Sequence, residues 1–336
     1  MDSSGSSGFG AASDRDGIKY APVLQTAWWN ENCEYAKFNR QGIEILTASF
    51  VHPTPKAAVV LLTGWSETFL KYSDVIKAIY DRGFSVFTYD HQSQGLSGRW
   101  LAETQSTWVH SFEDYVDDFV YFVTSCAREN SHLPMYLLAQ GMGGLVASIA
   151  MSRLPSLINR AVLSAPMFRN KCGMKALDYA FPLPQPIAYW IVYWACKAGL
   201  GTMNTLGFFK EKTLDALKLN IGTSDAEQLH NWQVLRQKYP ALLSTCVTND
   251  WVLQSIRSQK KFSRFYEFVG TNTLILAADA NQELFVHNRA MTMFLNKAPR
   301  SRMFVAPGAH HELFFENAVV RGAAIKTALD FFTQTR

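Results

Sequence analysis

The sequence predicts an α/β fold: a mostly parallel sheet with helices on both faces, and a helical segment inserted before the last strands. Three observations carry that expectation. Between about residues 57 and 165, short apolar runs alternate with amphipathic stretches. Residues 167–268 then turn helical and aromatic in character, with Pro182, Pro184 and Pro186 near their start. The strand–helix alternation resumes at Thr273 and runs to the end. Strands that alternate with helices argue for parallel pairing through right-handed crossovers.

The elements follow in order. Residues 43–51 alternate loosely, as an antiparallel strand does. Residues 57–62, A-A-V-V-L-L, form a buried strand that ends in Thr63-Gly64-Trp65-Ser66-Glu67. A short helix over 73–82 closes at Gly83, and a strand over 84–89 leads into Asp90-His91 and a loop with Gln94, Gly95, Ser97 and Gly98. Ser111 and Asp114 have capping-box spacing. Phe112, Tyr115, Val116, Phe119, Val120 and Val123 then recur at helical spacing. Residues 135–139 are a buried strand and 145–154 a helix that Pro155 stops. A strand at Arg160–Ser164 ends in Ala165-Pro166. Beyond the insertion come a strand over 273–277, a helix at Asn288–Leu295, a strand over 302–305 and a last helix over 317–332. The expected organisation is a disordered tail over 1–20, an α/β core over 21–166 and 269–336, and a helical cap over 167–268.

Composition narrows the function. The chain has 336 residues, 48% of them hydrophobic, enough for one large α/β domain with an insertion. A net charge of +4 without any long Lys/Arg block argues against nucleic acid as a partner. Cys33, Cys126, Cys172, Cys196 and Cys246 are scattered without a C-x-x-C pair, which reads as free thiols in a reducing, cytoplasmic setting and makes a zinc site improbable. The first residues lack the apolar segment of a signal peptide. The most apolar run, residues 187–196, has about half the length a bilayer crossing needs. The protein is therefore expected to be soluble or peripheral to a membrane.

The chemistry centres on residues 134–144, P-M-Y-L-L-A-Q-G-M-G-G. Strand, sharp turn and helix, with Ala139 and Gly143 as small flanks, is the setting of a nucleophile elbow. The tip is Gly141, which has no side chain. In an open parallel sheet, ligands bind at the carboxyl ends of the strands. Polar loops leave those ends at residues 64–67, 90–99, 140–144 and 279–283, and the last strand leads to Gly308-Ala309-His310-His311-Glu312.

Taken together, these motifs resemble the α/β-hydrolases of the lysophospholipase and monoacylglycerol lipase type. Gly64-x-x-Glu67 followed by Tyr72 is similar to that family's oxyanion loop. Tyr89-Asp90-His91, Gln94-Gly95 and Ser97-Gly98-Arg99 are similar to its next motif, and Phe112 to Asp118 to the following helix. Ala165-Pro166-Met167-Phe168 and Gly308-Ala309-x-His311-Glu312 match as well. The resemblance covers about residues 25 to 334. It implies an α/β-hydrolase fold and an acyl-ester substrate, a monoacylglycerol or lysophospholipid, with no cofactor and no metal. It places His311 as general base in preference to His310. Glu283 is favoured as the orienting acid, with Asp279 as the alternative. Backbone N–H groups of Trp65 and Met142 would form the oxyanion hole. Tyr189, Trp190, Tyr193 and Trp194 of the insertion would either line an acyl pocket or pack the cap onto the core.

The family has serine where this chain has Gly141. Three readings stay open at this stage: a deliberate inactivating change, a natural relative that binds lipid without turnover, or a water beside Gly141 activated by His311. Glycine adopts the strained tip conformation freely, so the fold is expected to be unharmed.

Overall fold

The computed structural model describes residues 20–102, 106–128, 132–176, 179–205, 222–242, 244 and 246–334. Apart from Tyr20, the tail expected to be disordered lies outside the described residues. The centre of the molecule is an eight-stranded sheet made of β1 (Glu34–Arg40), β2 (Ile43–Phe50), β3 (Ala58–Leu62), β4 (Ser85–Tyr89), β5 (Met135–Gln140), β6 (Arg160–Ser164), β7 (Asn272–Ala277) and β8 (Ser301–Val305). Their spatial order is β1-β2-β4-β3-β5-β6-β7-β8. The β1–β2 and β2–β4 pairs are antiparallel and all the others parallel. Every residue of β3 and β4 is buried, as expected of strands covered on both faces: β3 is wholly apolar, and β4 carries Ser85 and Thr88 among its apolar residues.

Four helices connect and cover this sheet: α2 (Ser73–Asp81), α4 (Gly141–Arg153), α8 (Asn288–Leu295) and α9 (Ala318–Thr333). A fifth, α3 (Phe112–Tyr121), starts at the expected capping box. Ser111 Oγ accepts from the Glu113 N–H at 3.2 Å, and Asp114 Oδ2 accepts from the Ser111 N–H at 3.0 Å. Asn317 caps α9 by accepting from Val319 and Val320.

Three features depart from the expectation. Helix α1 (Thr26–Asn32) and strand β1 precede the first expected strand. Strand β1 is an edge strand with Phe38 as its one buried residue, so it carries no apolar alternation to read. Residues 167–268 contain helices α5 (Gln185–Lys197), α6 (Ala226–Lys238) and α7 (Asn249–Phe262), but also an antiparallel hairpin that pairs Cys172–Ala176 with Tyr179–Leu183. Finally, α4 begins at Gly141 itself, so the tip of the turn is the first residue of the helix.

Several bonds fasten residues 167–268 to the loops at the strand ends. The Glu312 N–H donates to Gly222 O at 2.9 Å and Thr223 Oγ1 to Phe315 O at 2.6 Å. Ser66 Oγ donates to Ser244 O. Helix α5 lies against α7. Its Ala188 and Val192 are buried, whereas Ile187, Trp190, Ile191 and Trp194 stand exposed at i, i+3, i+4 and i+7.

Candidate active site

Strand β5 ends at Gln140 in extended conformation, and Gly141 follows with φ +48°. This left-handed backbone is costly for a residue with a Cβ and open to glycine. The turn is this sharp because α4 packs down on the neighbouring strand ends. A Cβ on Gly143 would stand 2.6 Å from Thr63 O and 2.9 Å from Leu62 O, so a side chain there would collide with the backbone of β3. The Gly141 carbonyl accepts from the Met167 N–H at 2.9 Å, which fixes the elbow to the segment after β6.

A Cβ built on Gly141 would lie 3.3 Å from His311 Nε2 and 3.9 Å from Gly64 Cα. The tip of the turn, the histidine loop and the loop after β3 therefore meet at one point. Met142 follows Gly141 and Trp65 follows Gly64, so the residues expected to supply N–H groups flank that point on two sides. Their surroundings hold them. Glu67 Oε2 accepts from the Gly64 N–H at 2.6 Å, and Gln94 Oε1 accepts from the Ser66 N–H at 2.7 Å. The Trp65 peptide is thereby anchored on both sides. Gln94 Nε2 lies 3.5 Å from Met142 Sδ, and Trp65 Nε1 donates to Thr107 Oγ1 at 3.1 Å.

His311 Nδ1 lies 2.8 Å from Glu283 Oε2, so Nδ1–H donates to the carboxylate and Nε2 is turned toward Gly141. Glu283 is buried, and its other oxygen accepts from the Phe285 and Val286 N–H groups at 2.7 and 3.1 Å. Burial works against charge on both members of the pair, but their mutual attraction outweighs it. The imidazole's affinity for a proton is held above its ordinary value, with Glu312 and Glu67 adding to the effect, and the Glu283 carboxyl is held below its own. Asp279 does other work: its carboxylate accepts from the Gly308 and Asn281 N–H groups, each at 2.9 Å, and clamps the loops after β7 and β8 together. His310 turns the other way, to Glu316 Oε1 at 2.8 Å.

Two nearby hydroxyls are already engaged. Ser66 Oγ donates to Ser244 O, and Ser97 Oγ donates to Asp90 O at 2.6 Å while accepting from the Leu46 N–H. Ser164 sits fully buried at the end of β6. Asp90 braces the same region by accepting from Phe69 N–H, Leu96 N–H and Thr68 Oγ1, and burial pushes its carboxyl up to about 7. Among the described residues no cluster of His, Cys, Asp and Glu could hold a metal ion, and no helix is long and apolar enough to cross a membrane.

The four aromatic residues expected either to line an acyl pocket or to pack the insertion onto the core lie along α5. Tyr189 and Tyr193 are half-buried and stack with ring centroids 6.0 Å apart, while Trp190 and Trp194 are 54% and 64% exposed. Two contributors to the site carried no assigned role in the sequence: Gln94, and Lys71, which is buried between two carboxylates. Glu67 and Lys71 stand at i, i+4, the spacing of a helical ion pair, and that was the available signal.

Comparison with known proteins finds relatives in sequence and in structure. The family model described as serine aminopeptidase, S33, matches residues 53–318. Lysophospholipase L2 of Escherichia coli K12 is 26% identical over 328 residues, covering 92% of this chain and 90% of that protein. Human monoglyceride lipase is 28% identical over a shorter stretch, 34% of this chain and 36% of that protein. In structure, a soluble variant of Saccharomyces cerevisiae monoglyceride lipase in complex with a substrate analog superimposes with TM-score 0.68 at 16% identity, over 90% of this chain and 96% of that one. The fold is that of the α/β-hydrolases.

Proposed function

Because the chain belongs to the serine aminopeptidase S33 family, we propose that its centre is the acyl-ester hydrolase site of a lysophospholipase or monoacylglycerol lipase in which Gly141 stands at the nucleophile's position. One observation carries this reading: Glu283 and His311 lie 2.8 Å apart, and His311 Nε2 faces a residue 141 held at φ +48°. With a serine there, His311 would take the hydroxyl proton as the oxygen attacks the ester carbonyl. Glu283 would hold the ring and stabilise the imidazolium. The N–H groups of Trp65 and Met142 would stabilise the oxyanion, and water would later release the acyl group. Position 141 offers no oxygen, so turnover is lost or strongly impaired.

The second reading is a non-catalytic lipid-binding relative. It draws on the same residues, since a centre without its nucleophile still has oxyanion donors for an ester carbonyl. In both readings residues 167–268 form the cap, Tyr189 and Tyr193 contact the acyl chain, and the exposed face with Trp190 and Trp194 rests against a lipid surface.

The test is Gly141→Ser. The variant is expected to react with a fluorophosphonate probe at residue 141 and to hydrolyse a monoacylglycerol or lysophospholipid. The parent chain is expected to do neither. The expected gain in kcat is on the order of 10⁴ to 10⁶, the inverse of what a serine hydrolase loses with its serine. A folded Gly141→Ser protein that neither reacts nor turns over ester leaves the lipid-binding reading. Stoichiometric labelling of the parent would reveal another nucleophile and overturn both.

A further inference from the structure

Lys71 lies behind the candidate site, only 1% of its side chain exposed. Its ammonium is 2.7 Å from Glu67 Oε1 and 2.9 Å from Glu312 Oε1. It also lies 4.1 Å from the centre of the Phe315 ring and 5.3 Å from that of Trp232. These partners come from three different parts of the chain. Glu67 belongs to the loop after β3, Glu312 and Phe315 to the loop after β8, and Trp232 to α6. Glu67 is saturated, since its other oxygen accepts from the Gly64 N–H at 2.6 Å and from Tyr72 OH at 2.7 Å. That grip depends on Gly64 itself, because a Cβ there would stand 2.7 Å from the same oxygen. A buried ammonium is costly unless it is paired and hydrogen-bonded, and a buried carboxylate likewise. The three groups therefore hold one another in place.

We propose that Lys71 is a positioning residue: with Glu67 and Glu312 it forms a charged bridge that sets the spacing between the loop carrying Trp65 and the loop carrying His311. The role rests on the ester-hydrolysis reading of the centre. Glu312 directly follows His311, and Glu67 holds the peptide before Trp65, so the bridge ties the proton acceptor to the oxyanion donor through side chains. It also surrounds the imidazole with charge. The charged groups facing His311 are Glu283, Glu312 and Glu67, with Lys71 between the last two. Arg236 lies beyond Glu312, and His310 with Glu316 on the same loop.

Two measurements test this. The first uses the chain as it stands, with Gly141, and follows the His311 ring by NMR in histidine-labelled protein. Removing a carboxylate with Glu312→Gln is expected to lower the midpoint of its titration, and removing the ammonium with Lys71→Met to raise it. If Lys71→Met does not fold, the isosteric Glu67→Gln takes its place and is expected to lower the midpoint. A midpoint that stays put, or that moves against the sign of the removed charge, overturns the bridge. The second measurement uses Gly141→Ser and a soluble short-chain ester. Glu312→Gln is expected to reduce kcat by roughly 10- to 100-fold with KM changed less than about threefold, as for a misplaced catalytic group. An unchanged kcat overturns the proposal. If Gly141→Ser is itself inactive, the hydrolase reading has failed and the NMR arm alone decides the bridge.

Discussion

The centre around Gly141 and the outer face of α5 are opposite cases. At the centre each polar group has several partners: Glu283 accepts three hydrogen bonds, Glu67 holds Gly64, Lys71 and Tyr72, and Gln94 touches three segments. The outer face of α5 instead presents Ile187, Trp190, Ile191 and Trp194 to solvent. A geometry fixed by many mutual bonds needs no side chain at residue 141, because none of these bonds involves one. An exposed apolar face has no such internal reason to exist. On the proposed reading it rests against a lipid surface, where aromatic side chains are favoured.

The largest expected effect breaks the centre. In a Gly141→Ser background, Glu283→Gln is expected to reduce kcat on the order of 10⁴-fold, since the ring loses the partner that fixes its tautomer. Asp279→Asn, which touches only the loop clamp, is expected to change kcat far less. Steady-state kinetics on one soluble ester reads both, and equal losses would show that the wrong acid has been chosen.

Next comes the elbow's sterics. Gly143→Ala must push α4 off the backbone of β3 and is expected to destabilise by about 1–3 kcal/mol. Gly141→Ala meets only the far end of a side chain at 3.3 Å, so its cost is the left-handed backbone alone, about 1–2 kcal/mol. Denaturant midpoints compare the two, and a larger loss at 141 would overturn the packing account.

The α5 face gives a smaller effect. Trp190→Ser with Trp194→Ser is expected to weaken binding to phospholipid vesicles roughly tenfold, or ~1.4 kcal/mol, and to leave thermal stability unchanged. Co-sedimentation measures the first and calorimetry the second. Unaltered vesicle binding would return these residues to the acyl pocket.

The smallest effect is on pH. In Gly141→Ser only the neutral ring accepts a proton, and its proton affinity is raised, so the acid limb of kcat/KM should have its midpoint above 6.5. The same shift gives the sign for stability. The raised histidine contributes stability fully below 6.5 and loses it as pH rises through the folded value. The lowered carboxyl of Glu283 contributes above 4.5 and loses it as pH falls. The benefit of the pair, read as the melting-temperature difference from His311→Ala, should therefore peak between those values.

Much of this was legible in the sequence, for reasons that can be named. Strand β3 is buried on both faces and reads as an unbroken apolar run, β4 as a largely apolar one, and α3 announces itself with Ser111 and Asp114. The sharp turn at 140–144 shows because a side chain on Gly143 would meet the backbone of β3. Strand β1 does not show, because an edge strand with one buried residue carries no pattern. The hairpin that pairs Cys172–Ala176 with Tyr179–Leu183 does not show, because the aromatic and proline-rich sequence around it reads as a helical insertion. The sequence favoured Glu283 but left Asp279 open, and only contact between distant loops brings the former to His311. Lys71 was missed because a lysine is expected in water, and its burial depends on Glu312, which lies far along the chain.

Gly141 also has a consequence in time. A hydrolase parts with its lipid by cutting it, so each encounter ends in products, and the flux through the site is set by chemistry. On the proposed reading, a centre with no oxygen at residue 141 would form no acyl bond there, and a lipid that entered would leave as it came. Its stay is then set by the dissociation rate alone, and the fraction of protein occupied follows the lipid concentration around it. On that reading, the same pocket that would make a catalyst with serine would make, with glycine, a gauge of how much lipid is present.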